Sequence, residues 1–78
     1  MPFRPIKRKH WIAYLTFLGC HYERTKSSHE HWKCPDCNRT ITFWTNKKEI
    51  EAFHILTNLK SLDKRFEDLV SWIEEQEK

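Results

Sequence analysis

The fold is decided by the stretch Gly19–Phe43, which reads GCHYERTKSSHEHWKCPDCNRTITF. It holds all three cysteines and the single glycine of the 78-residue chain. Polar and apolar residues alternate along much of it, as they do in strands that bury one face. The segments before and after it carry apolar residues at helical spacing instead. The sequence therefore predicts an α+β domain in which helices flank a small sheet.

Three strands are predicted within this stretch. Cys20–Arg24 and His29–Cys34 are separated by a polar turn, and Arg39–Trp44 follows a second turn that begins at Pro35. Threonine, isoleucine and aromatic residues in the third segment favour a pleated, half-buried surface, and Pro with Asn or Asp favours a turn. Short connections of this kind join neighbouring antiparallel strands. We therefore expect a three-stranded antiparallel meander.

The segment before the sheet is predicted to be a helix over Ile6–Leu18. Apolar residues recur there at i, i+4, i+7 from Trp11, and Gly19 stands where helices often end with a residue of positive φ. Basic residues crowd the first turn, where the helix dipole disfavours them, a cost that is tolerated where charges serve binding. Because Trp11–Leu18 is nearly continuous in apolar residues, a strand there is the alternative.

The segment after the sheet is predicted to be helical almost to the C-terminus. Asn46 followed by Glu49 resembles a capping box, so we expect a helix to begin there, and Ser61 is a candidate cap for a separate last helix. No glycine or proline interrupts residues 46–77, so two helices and one long bent helix both fit the pattern. The predicted order is therefore α-β-β-β-α, with the helices packed on one face of the sheet and an extended C-terminal helical segment.

Strand pairing assigns the side chains of the sheet to two faces. If the first hairpin turns about Lys26–Ser27, three cross-strand pairs follow: Cys20 with Cys34, Tyr22 with Trp32, and Arg24 with Glu30. Because side chains alternate along a strand, one face is expected to pack on the helices through Cys20, Tyr22, Trp32, Cys34, Ile41 and Phe43. The other face is polar and open to solvent or a ligand, and it holds His21, Glu23, His29, His31, Lys33, Thr40 and Thr42.

The length and composition limit the classes of protein to which the chain can belong. A chain of 78 residues has room for one small domain, which we assign to residues 1–78. Its many aromatic residues supply a core and argue against disorder, and no apolar run is long enough to span a membrane. No signal-peptide pattern is found, so we expect a cytoplasmic location, in which thiols or a bound metal are favoured over disulfides.

The charge is unevenly distributed along the chain. Residues 1–48 carry ten lysines and arginines against three acidic residues, whereas residues 49–78 carry four against eight. A basic front half suggests a polyanionic partner, most simply nucleic acid. The acidic second half is typical of a solvated helical face.

The cysteines form a candidate zinc site. Cys34 and Cys37 have the C-x-x-C spacing with which a turn holds a metal, and Cys20, opposite Cys34, is the natural third ligand. A fourth ligand is missing, since His21 points to the other face. The alternative is that Cys20 and Cys34 are buried apolar residues and Cys37 is a turn residue. Zinc is therefore possible, and no cofactor is required.

His29 and His31 form the candidate catalytic site. At i, i+2 on a strand, both rings project from the polar face, and histidine is the usual general acid or base near neutral pH. Lys26, Lys33 and Arg39 lie close in sequence and are the candidate RNA-binding residues. A metal-independent ribonuclease needs such a set: a base for the 2′-hydroxyl, cations for the phosphorane charge, and an acid for the leaving oxygen. The alternative is two exposed histidines without a catalytic task.

Three consecutive motifs resemble the HicA toxin family of small messenger-RNA interferases. They read LTFLGC at residues 15–20, RTKSSHEHW at residues 24–32 and KCPDCNRTIT at residues 33–42. The family is similar in having Leu-x-x-Leu and Gly-Phe at the end of its first helix, then Arg-x-Lys-Gly-Ser-His-His, then His-Pro-Asp-Gly-Arg-Arg-Val-Thr-Val. The resemblance covers about residues 6–60.

This resemblance implies a fold like the double-stranded-RNA-binding domain, RNA cleavage by a histidine of the second strand, and neutralisation by a cognate antitoxin protein. If the chain is aligned with the family on Arg-x-Lys-x-Ser, the functional histidine is His29. If it is aligned on Pro-Asp, the functional histidine is His31, and we keep both as candidates. The chain departs from the family at Ser27, where the family has glycine, and in its cysteines at the second turn. Those cysteines mark either a zinc-stabilised branch of the family or a homologue that has lost the ribonuclease activity.

Two other functions compete with a toxin ribonuclease. One is a non-catalytic nucleic-acid-binding or interaction module stabilised by zinc, and the other is a purely structural or phage-type adaptor. The last helix, expected over Leu62–Glu77, is available for dimer or antitoxin contacts, and the sequence leaves the oligomeric state open.

Overall fold

The structure, a computed structural model, describes residues 3–35 and 40–77 of the chain. Within these residues it has three helices, a three-stranded antiparallel sheet of order β2-β3-β4 and a separate two-stranded ladder of β1 with β5. In chain order the elements are β1 (Ile6–Lys7), α1 (Arg8–Phe17), β2 (His21–Lys26), β3 (His29–Lys33), β4 (Ile41–Trp44), β5 (Glu49–Ile50), α2 (Ala52–Ser61) and α3 (Phe66–Gln76). The predicted α+β class and three-stranded meander are therefore confirmed, while the likeness to the double-stranded-RNA-binding domain stays a prediction.

Helix α1 is shorter than the predicted Ile6–Leu18 and ends at the expected glycine. It starts later because the two residues before it form β1 and pair with β5. Gly19 has a φ of 87°, and its N–H donates to Thr16 O at 3.0 Å while the Cys20 N–H donates to Leu15 O at 2.9 Å. These two bonds satisfy carbonyls of the last helical turn. The alternative of a strand in this segment is wrong.

The helix predicted to start at Asn46 begins later. Asn46 has a φ of 61°, in the left-handed region that right-handed helices do not use, and Glu49 lies in β5 rather than in a capping position. Helix α2 begins at Ala52, after Glu51 in an extended conformation. Pairing of β5 with β1 thus replaces the capping box that the residue spacing predicts.

The C-terminal segment forms two helices rather than one. Asp63 has a φ of 58°, which interrupts the helical path between α2 and α3. Ser61 is the last residue of α2 and does not cap α3. At the start of α3 the Arg65 N–H instead donates to the Asp68 carboxylate at 3.1 Å. The break lets each helix bury its own apolar residues in the core.

A β-bulge changes the register of the first hairpin. Tyr22 lies opposite Trp32 as predicted, but Arg24 lies opposite His31 instead of Glu30, and the register shifts between Tyr22 and Arg24. A bulge inserts one extra residue into one strand of a pair. From this point to its end, β2 therefore turns its side chains to the face opposite the predicted one.

The turn and one side-chain contact agree with the shifted register. Ser27 and Ser28 form a two-residue turn with φ values of 50° and 70°, the positive values found in hairpin turns that match strand twist. The Tyr22 hydroxyl and Thr25 Oγ1 lie 2.6 Å apart, so residues three apart share one face, as a bulge between them requires. Lys26 consequently pairs with His29.

The core lies between the helices and the inner face of β3 and β4. Of the residues predicted for this face, Tyr22 is 51% exposed, because β2 is an outer strand with all its residues exposed. Glu30, in contrast, is 3% exposed and occupies a buried position among apolar residues. The buried apolar residues are Ile6, Trp11, Tyr14, Leu15, Cys20, Trp32, Cys34, Ile41, Phe43, Ile50, Ile55, Leu59, Phe66, Leu69, Val70 and Ile73.

Cys20 and Cys34 are joined by a disulfide. The prediction that they lie opposite one another is confirmed, but the expectation of thiols or a metal in place of disulfides is wrong for this pair. Both residues are buried, and the bond links the chain just before β2 to the chain just after β3. Cys37 lies outside the described residues. Zinc at Cys20, Cys34 and Cys37 therefore requires the reduced form of the chain.

Changing the turn to Ser27→Asn with Ser28→Gly is expected to raise the free energy of unfolding by about 1 kcal/mol, because Asn and Gly adopt positive φ at lower cost than serine. Urea unfolding measures the change. Ser71→Gly, at an exposed position of α3, is the control and is expected to lower stability by about 0.5 kcal/mol. A loss of stability in the turn variant would contradict this turn conformation.

Removing the disulfide with Cys20→Ala and Cys34→Ala is expected to lower the free energy of unfolding by about 3 kcal/mol under oxidising conditions, because the bond closes a loop of moderate length. Cys37→Ala leaves the bond intact and is the matched control. Thiol titration of the unfolded, unreduced protein is expected to find a single reactive thiol per chain. Three reactive thiols without added reductant would show that the bond does not form.

Candidate nucleic-acid-binding face

The face of the sheet turned away from the core is strongly basic. Along β3 the residues on this side are half-buried, while Glu30 and Trp32 between them are buried. On β4, Thr42 and Trp44 point the same way, because Ile41 and Phe43 are buried. Three cross-strand pairs of β2 and β3 complete it: His21 with Lys33, Arg24 with His31, and Lys26 with His29. We name this surface the histidine face; its residues are His21, Arg24, Lys26, His29, His31, Lys33, Thr42 and Trp44.

His29 lies at the hairpin end of the histidine face, between a cation and an aromatic ring. It pairs with Lys26 of β2 on one side and with Trp44 of β4 on the other. The His29 and Trp44 ring centroids are 4.2 Å apart, with 35° between the ring planes. Trp44 keeps 40% of its surface exposed. A planar base can therefore stack on Trp44 beside the imidazole.

His31 lies at the centre of the histidine face. It pairs with Arg24 and Thr42, and its Nδ1 lies 3.4 Å from Thr42 Oγ1. The backbone of Thr42 is held by Asn58 of α2, whose Nδ2 donates to Thr42 O at 2.9 Å and whose Oδ1 accepts from Thr42 N–H at 3.4 Å. The buried Asn58 amide thus covers part of the free edge of β4 and fixes the neighbour of His31.

The residue between the two histidines is a buried glutamate with three donors. The Glu30 carboxylate accepts hydrogen bonds from the Arg8 guanidinium, from Trp32 Nε1 at 3.2 Å and from the Thr45 hydroxyl at 2.9 Å. Arg8 is the first residue of α1, and Thr45 directly follows β4. The carboxylate therefore connects three separate segments of the chain behind the histidine face.

The environment of Glu30 determines its charge state. Burial by itself raises the pKa of this carboxyl, because it disfavours the charged form. The hydrogen bonds from Arg8, Trp32 and Thr45, together with the Arg8 charge, outweigh burial and hold the pKa below its usual value. Glu30 is therefore ionised at neutral pH and forms an ion pair with Arg8. The ionised Glu30 carboxylate stabilises the fold fully at pH values above the usual carboxyl pKa. This stabilisation is lost as the pH falls through the lowered pKa of Glu30.

Four of the predicted site residues share the histidine face. His29, His31, Lys26 and Lys33 all lie on it, with Lys33 at the end away from the hairpin turn. Arg39, the remaining predicted RNA-binding residue, lies outside the described residues. Over residues 3–35 and 40–77, no group of three or more His, Cys, Asp or Glu side chains is arranged to hold a metal ion. Zinc stays a prediction.

Two residues of the histidine face are missed by the sequence reasoning. Arg24 is predicted to lie opposite Glu30, and only the bulge places it opposite His31 on the histidine face. No pattern in the sequence distinguishes this register from the regular one. Trp44 carries a usable signal, because strict alternation from Thr42 places it on the polar face.

Comparisons with protein-family models, with curated proteins and with solved structures find no match to this chain. In the part of the chain that the structure describes, none of the helices is long and apolar enough to cross a membrane. The function is therefore inferred from the positions and chemistry of the side chains on the histidine face.

Glu30→Gln is expected to lower the free energy of unfolding by about 2 kcal/mol at pH 7, because it removes the charge that Arg8 and two further donors bind. Urea unfolding is measured in steps from pH 7 down to about pH 3, and the difference from wild type is expected to shrink on acidification. Glu23→Gln, at an exposed position of the bulged strand, is the matched control, with a change below about 0.5 kcal/mol. A difference that stays constant with pH would contradict the assigned charge state.

Proposed function

We propose that the chain is a HicA-like toxin: a metal-independent endoribonuclease that cleaves messenger RNA in the cytoplasm and is neutralised by a partner antitoxin. The histidine face carries this proposal, because two histidines lie side by side there among cations on an open surface. The motifs similar to that family and the order of three strands between helices support it. A fold like the double-stranded-RNA-binding domain belongs to the same proposal.

The two histidines supply the proton transfers that RNA cleavage needs. One imidazole removes the proton of a 2′-hydroxyl, and that oxygen attacks the adjacent phosphorus. The bond from phosphorus to the 5′-oxygen breaks, a 2′,3′-cyclic phosphate forms, and the leaving oxygen takes up a proton. His29 and His31 are two residues apart on one strand, about 7 Å along its axis. A single phosphate with its two ester oxygens can therefore contact both rings.

Cations opposite the histidines stabilise the charge that develops on the phosphate. Lys26 lies across from His29 and Arg24 across from His31, so each imidazole has a cationic neighbour on β2. Lys33 adds a further charge at the other end of the face. Donors placed where charge grows in the transition state lower the barrier without rearrangement. No metal ion is required for that role.

His29 is the better placed of the two for the reacting 2′-hydroxyl. A base stacked on Trp44 brings its own ribose close to the His29 ring, which lies 4.2 Å from the indole. His31 has its Nδ1 beside Thr42 and lies nearer the centre of the sheet. We therefore assign His29 as the primary catalytic group and His31 as the second.

The state of the cysteines does not decide this proposal. Cys34 follows the end of β3 that is farthest from the hairpin turn, whereas His29 is the residue next to that turn. A reducing cytoplasm would favour opening of the Cys20–Cys34 disulfide, and that bond lies at the opposite end of β3 from His29. The rival non-catalytic module would use the same face to bind RNA without cutting it.

His29→Ala is expected to lower the rate of RNA cleavage by about 100-fold or more, the usual contribution of a general acid or base. His31→Ala is expected to lower it by about tenfold or more, since the second proton transfer is lost. The measurement follows cleavage of a labelled single-stranded RNA in excess chelator. His54→Ala, on α2 rather than on the sheet, is the matched control and is expected to keep wild-type activity.

Urea unfolding of the three histidine variants shows whether each remains folded. RNA binding by the wild type without any cleavage would favour the non-catalytic module. Equal activity of His29→Ala, His31→Ala and His54→Ala would remove both histidines from the mechanism.

A further inference from the structure

A second basic surface lies next to the hairpin end of the histidine face. Pairing of β1 with β5 places Lys7 opposite Glu49, and the Arg8 N–H donates to Lys48 O at 2.8 Å. Two segments separated by forty residues of chain therefore bring their lysines to one place. We name this surface the lysine cluster; its residues are Lys7, Lys9, Lys47 and Lys48, all of them exposed.

The lysine cluster keeps an excess of positive charge for a ligand. The neighbouring Arg8 is already paired with Glu30. The ion pairs found among the described residues include none of the four lysines. Two acidic side chains share this surface: Glu49 lines the same concavity as Lys7 and Lys48, and Glu51 lines the neighbouring one with Lys47. Four lysines against two glutamates leave an excess of positive charge that attracts a polyanion.

Two neighbouring concavities connect the lysine cluster to the histidine face. One, of about 550 Å³, is lined by Lys7, Arg8, Lys9, Lys48 and Glu49. The other, of about 190 Å³, includes Trp44 and Lys47 in its wall and shares Glu49 with the first. The Trp44 ring in turn lies against the His29 ring, with 4.2 Å between the centroids. The path from the candidate catalytic group to the lysines is thus continuous and passes over an exposed indole.

We propose that the lysine cluster is an extended phosphate-binding subsite for single-stranded RNA. This inference rests on the proposed function. It places one base of the substrate on Trp44 and the phosphates beyond that base on the four lysines. An aromatic platform followed by a basic groove is the arrangement that binds single strands, because unpaired bases stack freely while their phosphates meet cations. The substrate is therefore an unpaired segment long enough to reach from His29 to Lys9.

Binding of a labelled single-stranded RNA of about 12 nucleotides tests this subsite. All proteins carry His29→Ala, which prevents cleavage during the measurement, and fluorescence anisotropy is recorded over a range of salt concentrations. Lys9→Gln with Lys48→Gln is expected to weaken binding by roughly tenfold and to reduce the slope of log K against log salt by about 1.4, since two phosphate contacts are lost. Lys60→Gln with Lys64→Gln removes the same charge near the connection of α2 to α3 and is expected to change affinity by less than about twofold.

The length of the RNA separates this inference from the proposed function. In the wild-type background, Lys9→Gln with Lys48→Gln is expected to slow cleavage of the 12-nucleotide RNA at limiting concentration and to leave cleavage of an oligonucleotide of about four nucleotides unchanged. An unaltered salt slope, or an equal loss in the Lys60 and Lys64 control, would overturn the subsite while leaving the nuclease in place. Salt-dependent loss of binding without any cleavage by the wild type would support the subsite and reject the nuclease.

Discussion

The Glu30 carboxylate is the group on which the arrangement of this small domain depends. A buried carboxylate without partners costs several kcal/mol, and it is tolerated only when hydrogen bonds and an opposite charge compensate for lost water. Here the partners come from three places: the start of α1 through Arg8, the strand itself through Trp32, and the residue after β4 through Thr45. A shift of the start of α1 would leave the charge unpaired, and a shift of the segment after β4 would remove one of its hydrogen bonds. The ion pair therefore acts as a positional constraint on the fold.

This constraint also sets which way the histidines point. Side chains alternate along β3, so holding Glu30 on the inner face directs His29 and His31 outward. A slip of one residue would bury both imidazoles and expose the glutamate. The apolar neighbours Trp32 and Phe43 favour the same register. The glutamate adds an electrostatic reason, because the alternative register would separate its charge from Arg8 and leave Arg8 without its partner. Stability and the candidate chemistry thus depend on the same residue.

Much of the fold follows from local patterns, whereas the histidine face depends on details that no local pattern specifies. Alternation predicts three strands, and the single glycine predicts the end of α1, because each signal lies within the element it describes. No local signal marks the bulge that turns Arg24 outward. The register beyond it is set by the two-residue turn at Ser27-Ser28, and two serines mark such a turn less clearly than Asn-Gly does. The β1–β5 ladder is two residues long on each side, too short for any periodicity to appear. The partner of Glu30 lies 22 residues earlier in the chain, so pairing by strand register assigned it to Arg24 instead.

The distribution of acidic groups supports the proposed polyanionic ligand at one end of the molecule. Of the three acidic residues among the first 48, Glu30 is buried and paired with Arg8, Glu23 lies at the bulge, and Asp36 lies outside the described residues. Glu30 is buried, and its charge is paired with that of Arg8, whose side chain stays partly exposed. The remaining lysines then face solvent on both sides of Trp44, with Glu49 and Glu51 as the acidic groups beside them. A ligand that combines stacking bases with closely spaced phosphates matches this surface better than an acidic peptide, because a peptide would leave the indole and the adjoining imidazole without a planar partner.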